Sequence, residues 1–185
     1  LAWQRPWGLP GAVPLAADFD GDGRADFAVY DPAGASWYVL SADQETVLTW
    51  QRSWGLPGAI PLAADFDADG RADFTVYDPN AACWYVLSAD QETVLAWQRP
   101  WGLPGAVPLA ADFDADGRAD FAIYDPNAAC WYVLSANQIT AIAWQTPWGL
   151  PGAVPLAADF DADGRADFAV YDPNAACWYV LSADQ

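Results

Sequence analysis

Asp18, Asp20, Asp22 and Asp26 stand within nine residues, in the run Asp18-Phe-Asp20-Gly-Asp22-Gly23-Arg24-Ala-Asp26. Four carboxylates that close repel one another unless a positive charge sits between them. Oxygen-only ligands in a flexible loop suit a hard cation, and calcium takes about six to eight such oxygens. When the chain wraps around an ion, side chains at ladder positions 1, 3 and 5 point to a common centre. The ladder recurs three times, as Asp65, Asp67, Asp69 and Asp73; Asp112, Asp114, Asp116 and Asp120; and Asp159, Asp161, Asp163 and Asp167. Gly23, Gly70, Gly117 and Gly164 at position 6 permit the sharp bend. Arg24, Arg71, Arg118 and Arg165 at position 7 can offer an ion only a backbone carbonyl. The expected cofactor is one Ca²⁺ per copy, tying down a loop that its own charge would spread. No Glu stands at position 12 and no helical pattern flanks the loop, which excludes an EF-hand. Mg²⁺ is disfavoured because it demands stricter octahedral geometry.

The ladder is one part of a 47-residue unit written four times. Residues 95–138 and 142–185 differ at four of 44 positions, as expected of recent duplication or deliberate construction. Units that cannot bury a core alone should stack into one body. The expected division is one domain, 1–185, with repeats at about 1–47, 48–94, 95–141 and 142–185. Within the second copy, Ile60–Ala64, Phe74–Tyr77, Cys83–Leu87 and Thr93–Trp97 read as strands separated by turn signals such as Asp78-Pro79-Asn80. Four short antiparallel strands per copy describe an all-β fold, a β-propeller of four-stranded blades. The opening Leu1–Trp7 matches a fourth strand, whereas the final Trp178–Ser182 matches a third. The N-terminal strand is therefore expected to complete the last blade and close the ring. A four-bladed monomer and an eight-bladed head-to-tail homodimer both satisfy this pattern, with the dimer preferred.

Composition narrows the function. The net charge is −18 with no Lys and no His. Each divalent ion adds two, so four filled sites would still leave −10. Nucleic acid and anionic membrane surfaces are thus poor partners, and no apolar run is long enough to span a bilayer. The chain neither opens on Met nor carries a secretory leader, so it is expected to have been processed or excised from something longer. Cys83, Cys130 and Cys177 fall one per repeat, with Ser36 in the first, and are expected to be buried small residues rather than disulfide or zinc partners.

The run from Trp54-Gly-Leu-Pro-Gly through Asp65-Phe-Asp-Ala-Asp-Gly-Arg-Ala-Asp-Phe-Thr-Val-Tyr77, followed by Cys83-Trp-Tyr-Val-Leu87, resembles the FG-GAP/VCBS repeat. That repeat occurs in integrin α-subunit heads, fungal propeller lectins and secreted bacterial proteins. The resemblance covers essentially the whole chain. It implies a β-propeller with calcium in the loop between the first two strands of each blade. It also implies an extracellular, secreted setting.

No nucleophile–base arrangement is visible, and every close carboxylate pair is claimed by the cation loop, so an enzyme is not expected. Twelve Trp, three per unit, leave binding as the open possibility. Trp7, Trp54, Trp101 and Trp148, beside Gly-Leu-Pro-Gly in the connections, are the expected pocket-lining residues for a glycan or cell-surface ligand. Arg5, Arg52 and Arg99 are candidate donors there. The reading is thus a lectin- or adhesin-like recognition module. The alternative is a structural or engineered repeat scaffold holding only calcium, which fully buried Trp would favour.

Overall fold

The computed structural model describes residues 4–184. Fifteen strands and no helix are present among them. They form four antiparallel sheets in sequence order: β1 (Val13–Ala17) to β4 (Val47–Ser53), β5 (Ile60–Ala64) to β8 (Val94–Pro100), β9 (Val107–Ala111) to β12 (Ala141–Pro147), and β13 (Val154–Ala158) to β15 (Cys177–Leu181). Each is a simple meander, as expected for the blades of a β-propeller. The chain divides into two compact units. The first comprises Leu1–Asp65, Asp69–Asp78 and Trp84–Arg99; the second comprises Phe66–Ala68, Pro79–Cys83 and Pro100–Gln185.

Strand chemistry explains the order within a blade. Pro14 pairs with Val29 in β1, an edge strand, where a missing N–H is tolerated. The central strand β3 (Ser36–Leu40) is buried along its whole length. Trp37 and Val39 serve one face and Tyr38 and Leu40 the other. The fourth strand is bulged: Trp131 faces Thr146 and Tyr132 faces Trp144, leaving Gln145 as the extra residue, at φ 52°.

Within the first unit, the first blade packs on the second through aromatic rings. Phe19 and Trp37 both lie on Phe74, at centroid distances of 5.2 and 5.5 Å. The second unit repeats this with Phe113 and Trp131 on Phe168, at 5.1 and 5.5 Å. Three hydrogen bonds accompany each packing. Trp37 Nε1 donates to the Trp54 carbonyl, Tyr30 Oη to the Leu56 carbonyl, and the Ala72 N–H to the Asp18 carbonyl. Trp131, Tyr124 and Ala166 make the equivalent bonds to Trp148, Leu150 and Asp112.

The last blade has three strands among the described residues, and Gln4–Trp7 carry no strand. Leu1–Trp3, the rest of the segment expected to close the ring, lie outside them. One expectation is corrected: Cys83 and Cys130 are only half-buried and Cys177 is exposed. None of the three forms a disulfide, and each thiol points back to the carbonyl two residues earlier at 3.3–3.4 Å. Ser36 does the same at 3.0 Å. The position selects a small donor, not a buried apolar group.

Candidate binding pockets and acidic loops

The Asp ladders sit between the first and second strands of their blades. Position 1 organises the loop. Asp18 accepts the backbone N–H groups of Gly21 and Gly23, both at 2.7 Å. Asp112 does so from Ala115 and Gly117, and Asp159 from Ala162 and Gly164. Position 9 anchors it. Asp26 accepts from Phe19 on one oxygen and Ala42 on the other, both at 2.8 Å. Asp120 takes the same pair from Phe113 and Ala136. Burial pushes Asp120 up to about 7 and also raises Asp26, against the pull of their N–H donors. A buried carboxylate held at such a cost to its ionised form is a site that a cation would relieve.

Oxygens of Asp18, Asp20 and Asp22 lie within 4.8 Å of one another. So do those of Asp112, Asp114 and Asp120, and of Asp159, Asp161 and Asp167. Such groups could hold a metal ion, and all-carboxylate donors fit a hard cation. In the second copy Asp65, Asp69 and Asp73 belong to the first unit and Asp67 to the second. Asp65 there accepts from Asp69 and Gly70, and Asp73 from Ala89. The guanidinium groups of Arg24 and Arg71 fold back onto Asp22 and Asp69, a pairing that lowers Asp22 and raises Arg24. Arg118 and Arg165 donate their backbone N–H to Asp116 and Asp163.

A second feature repeats with the blades. In the first unit, Trp54, Tyr85 and Trp97 line a pocket closed by Gly34, Ala35 and Gln98. Trp7, Tyr38 and Trp50 line its equivalent. In the second unit, Trp101, Tyr132 and Trp144 line the largest, about 470 Å³, with Gln145 at its edge. Trp148 and Tyr179 line a fourth. Trp97 stands edge-on to Tyr85 at 5.3 Å and tilted 58° to Trp54 at 5.7 Å. Trp50 and Trp144 hold the same poses within 0.1 Å. The result is an aromatic box open on one side.

Trp7, Trp54, Trp101 and Trp148 therefore line pockets, but they are half-buried walls. The indole N–H groups of Trp7, Trp54 and Trp148 are buried with no protein acceptor. The open faces belong to Trp50, Trp97 and Trp144, 67%, 64% and 65% exposed. The sequence did not single out these rings, because alternation along a regular strand does not foresee the bulge that turns them outward. Gln51, Gln98 and Gln145 at φ 49–56° mark that bulge, and nothing in a Gln announces it. Arg52 donates to the Gln91 carbonyl at 2.6 Å, so it ties the two blades of its unit together.

Comparison with known proteins agrees with this architecture. A model of the FG-GAP-like repeat matches residues 18–76 and 112–170, more than half of the chain. No curated protein matches. Among solved structures, the chain is similar to an Agrocybe aegerita lectin, described as specifically recognising non-reducing terminal N-acetylglucosamine. The two share 18% identity with a TM-score of 0.62, over 92% of this chain and 49% of the lectin chain. At that identity the likeness speaks to the fold. With two matched segments, each running from one acidic loop through the next and into the strand after it, the chain belongs to the FG-GAP-like repeat family.

Proposed function

We propose that this chain is a non-enzymatic, multivalent carbohydrate-binding module, secreted and stabilised by calcium in its acidic loops. The observation that carries the reading is the recurring aromatic box with one indole face left open, at Trp50, Trp97 and Trp144. An ordered, exposed indole costs solvation unless something apolar covers it, and the apolar face of a sugar ring is a good fit to such a plane. Gln98 and Gln145 at the pocket edges supply amide donors and acceptors for hydroxyls. The unpaired indole N–H groups of Trp7, Trp54 and Trp148 are further donors that a hydroxyl or water would satisfy. The similar lectin's recognition of a terminal sugar supports the same class of ligand for this chain. Several weak identical sites would act together through avidity.

Calcium's part is structural. Asp18, Asp112 and Asp159 already hold their loops by backbone N–H bonds, and an ion would neutralise the neighbouring carboxylates. Millimolar extracellular calcium suits loops of this kind, which supports secretion. A purely structural scaffold would be expected to bury its Trp, and the exposed indoles favour binding. A glycan-array screen in calcium and again in EDTA tests the reading. Binding to one sugar class that weakens in EDTA is expected; a blank array in calcium would remove the carbohydrate assignment.

A further inference from the structure

One sequence segment occurs in two environments. Trp37 and Trp131 are fully buried, with Phe19 and Phe113 beside them, because the next blade covers them. Their equivalents in the last blade, Trp178 and Phe160, are 55% and 51% exposed. Tyr179 and Val180 are exposed as well, so β15 presents an open apolar face. The first blade shows the complementary defect. Ala72, Ala119 and Ala166 are buried, whereas Ala25 at the same position is exposed. Phe74, Phe121 and Phe168 are buried, whereas Phe27 is half-buried.

We propose that a second copy of this chain docks its first blade on the β15 face, head to tail, reproducing the junction that joins blades within each unit. The occupant follows from the repeat: the internal junctions show what covers a Phe–Trp face, and the first blade carries that covering surface with an open position at Ala25. The register is then fixed. Phe27 of the incoming copy lies on Phe160 and Trp178, as Phe74 lies on Phe19 and Trp37. Trp178 Nε1 donates to the carbonyl of the incoming Trp7, Tyr171 Oη to that of Leu9, and the incoming Ala25 N–H to the Asp159 carbonyl. These copy bonds already present at Trp37, Tyr30 and Ala72.

The junction is heterologous, with different surfaces on the two sides. It does not depend on what the pockets bind.

The test is sedimentation equilibrium on the full chain, with Trp178→Glu on one face and Ala25→Arg on the other. Ala25 is exposed, so Ala25→Arg should fold normally, as the melting curve will show. The unmodified chain should weigh at least twice 19.9 kDa, and each variant should fall to a single chain. Mixing the two variants should restore a pair, because one intact junction remains between them. A single-chain mass for the unmodified protein at every concentration, whether the face stays bare or its own N-terminal segment covers it, would overturn the proposal. So would an assembly that Ala25→Arg leaves intact, or variants whose mixture stays monomeric.

Discussion

The third and fourth blades carry the same five-residue strand, Cys-Trp-Tyr-Val-Leu, and treat it oppositely. In β11 (Cys130–Leu134) Trp131 is sealed under Phe168; in β15 Trp178 meets solvent. Local sequence cannot be the cause, since the strands are identical. What differs is whether another blade packs on the strand among the described residues. Burial in a repeat fold is therefore a property of the junction and not of the unit, as a nearest-neighbour description of repeat proteins requires.

The sharpest way to break that comparison is to delete the same ring in both places. Trp37→Ala or Trp131→Ala should cost about 3–5 kcal/mol, as large buried aromatics do. Trp178→Ala, measured in dilute solution, should cost about 1 kcal/mol or less. Equal losses in denaturant titrations would show that β15 is covered in the single chain. Next in size is the loop beneath the sealed junction. Asp112→Ala removes the acceptor for the Ala115 and Gly117 N–H groups together with a candidate calcium ligand. A loss of about 1–3 kcal/mol is expected in calcium, and a smaller one in EDTA, where only the hydrogen bonds are at stake. Chelator alone should lower the melting temperature of the unmodified chain.

The pH response refines this. Burial holds Asp120 up at about 7, against 3.8 for an unperturbed carboxyl. In EDTA the stability contributed by its protonated form is complete below about pH 3.8 and is lost as pH rises through about 7. The melting temperature of the chelated protein should therefore fall between about pH 4 and about pH 7 and level off above that. In calcium the trend should reverse, because the ion requires the carboxylate.

Smaller still is the effect of loop strain. Ala68, Ala115 and Ala162 hold φ of 62–64°, where the first copy has Gly21 at 79°. An L-residue pays about 1 kcal/mol in that region. Ala115→Gly should recover part of it, raising the melting temperature by a few degrees. Ala28→Gly, in a buried strand, should do the reverse.

Much of the fold was legible because period-2 runs alternate with Asp-Pro-Asn and Gly-Leu-Pro-Gly signals, and the strands of the second copy fall within a few residues of Ile60–Ala64, Phe74–Tyr77, Cys83–Leu87 and Thr93–Trp97. The acidic groups followed from spacing alone. The open faces of Trp50, Trp97 and Trp144 were not legible, since they depend on a bulge at residues that carry no bulge signature. Half-burial of Cys83 and Cys130 escaped too, because their thiols serve a turn carbonyl that residue type does not reveal. The difference between Trp131 and Trp178 could not be read from either strand, for the reason given by the junction.

The most direct measurement is a glycan array in calcium, comparing the unmodified chain with a triple variant, Trp50→Ala, Trp97→Ala and Trp144→Ala. These rings are exposed, so the two proteins should melt at closely similar temperatures. The account predicts binding to one sugar class by the first and a blank array for the second. The same pattern from both proteins, at matched stability, would contradict the assignment of the aromatic boxes as the binding sites.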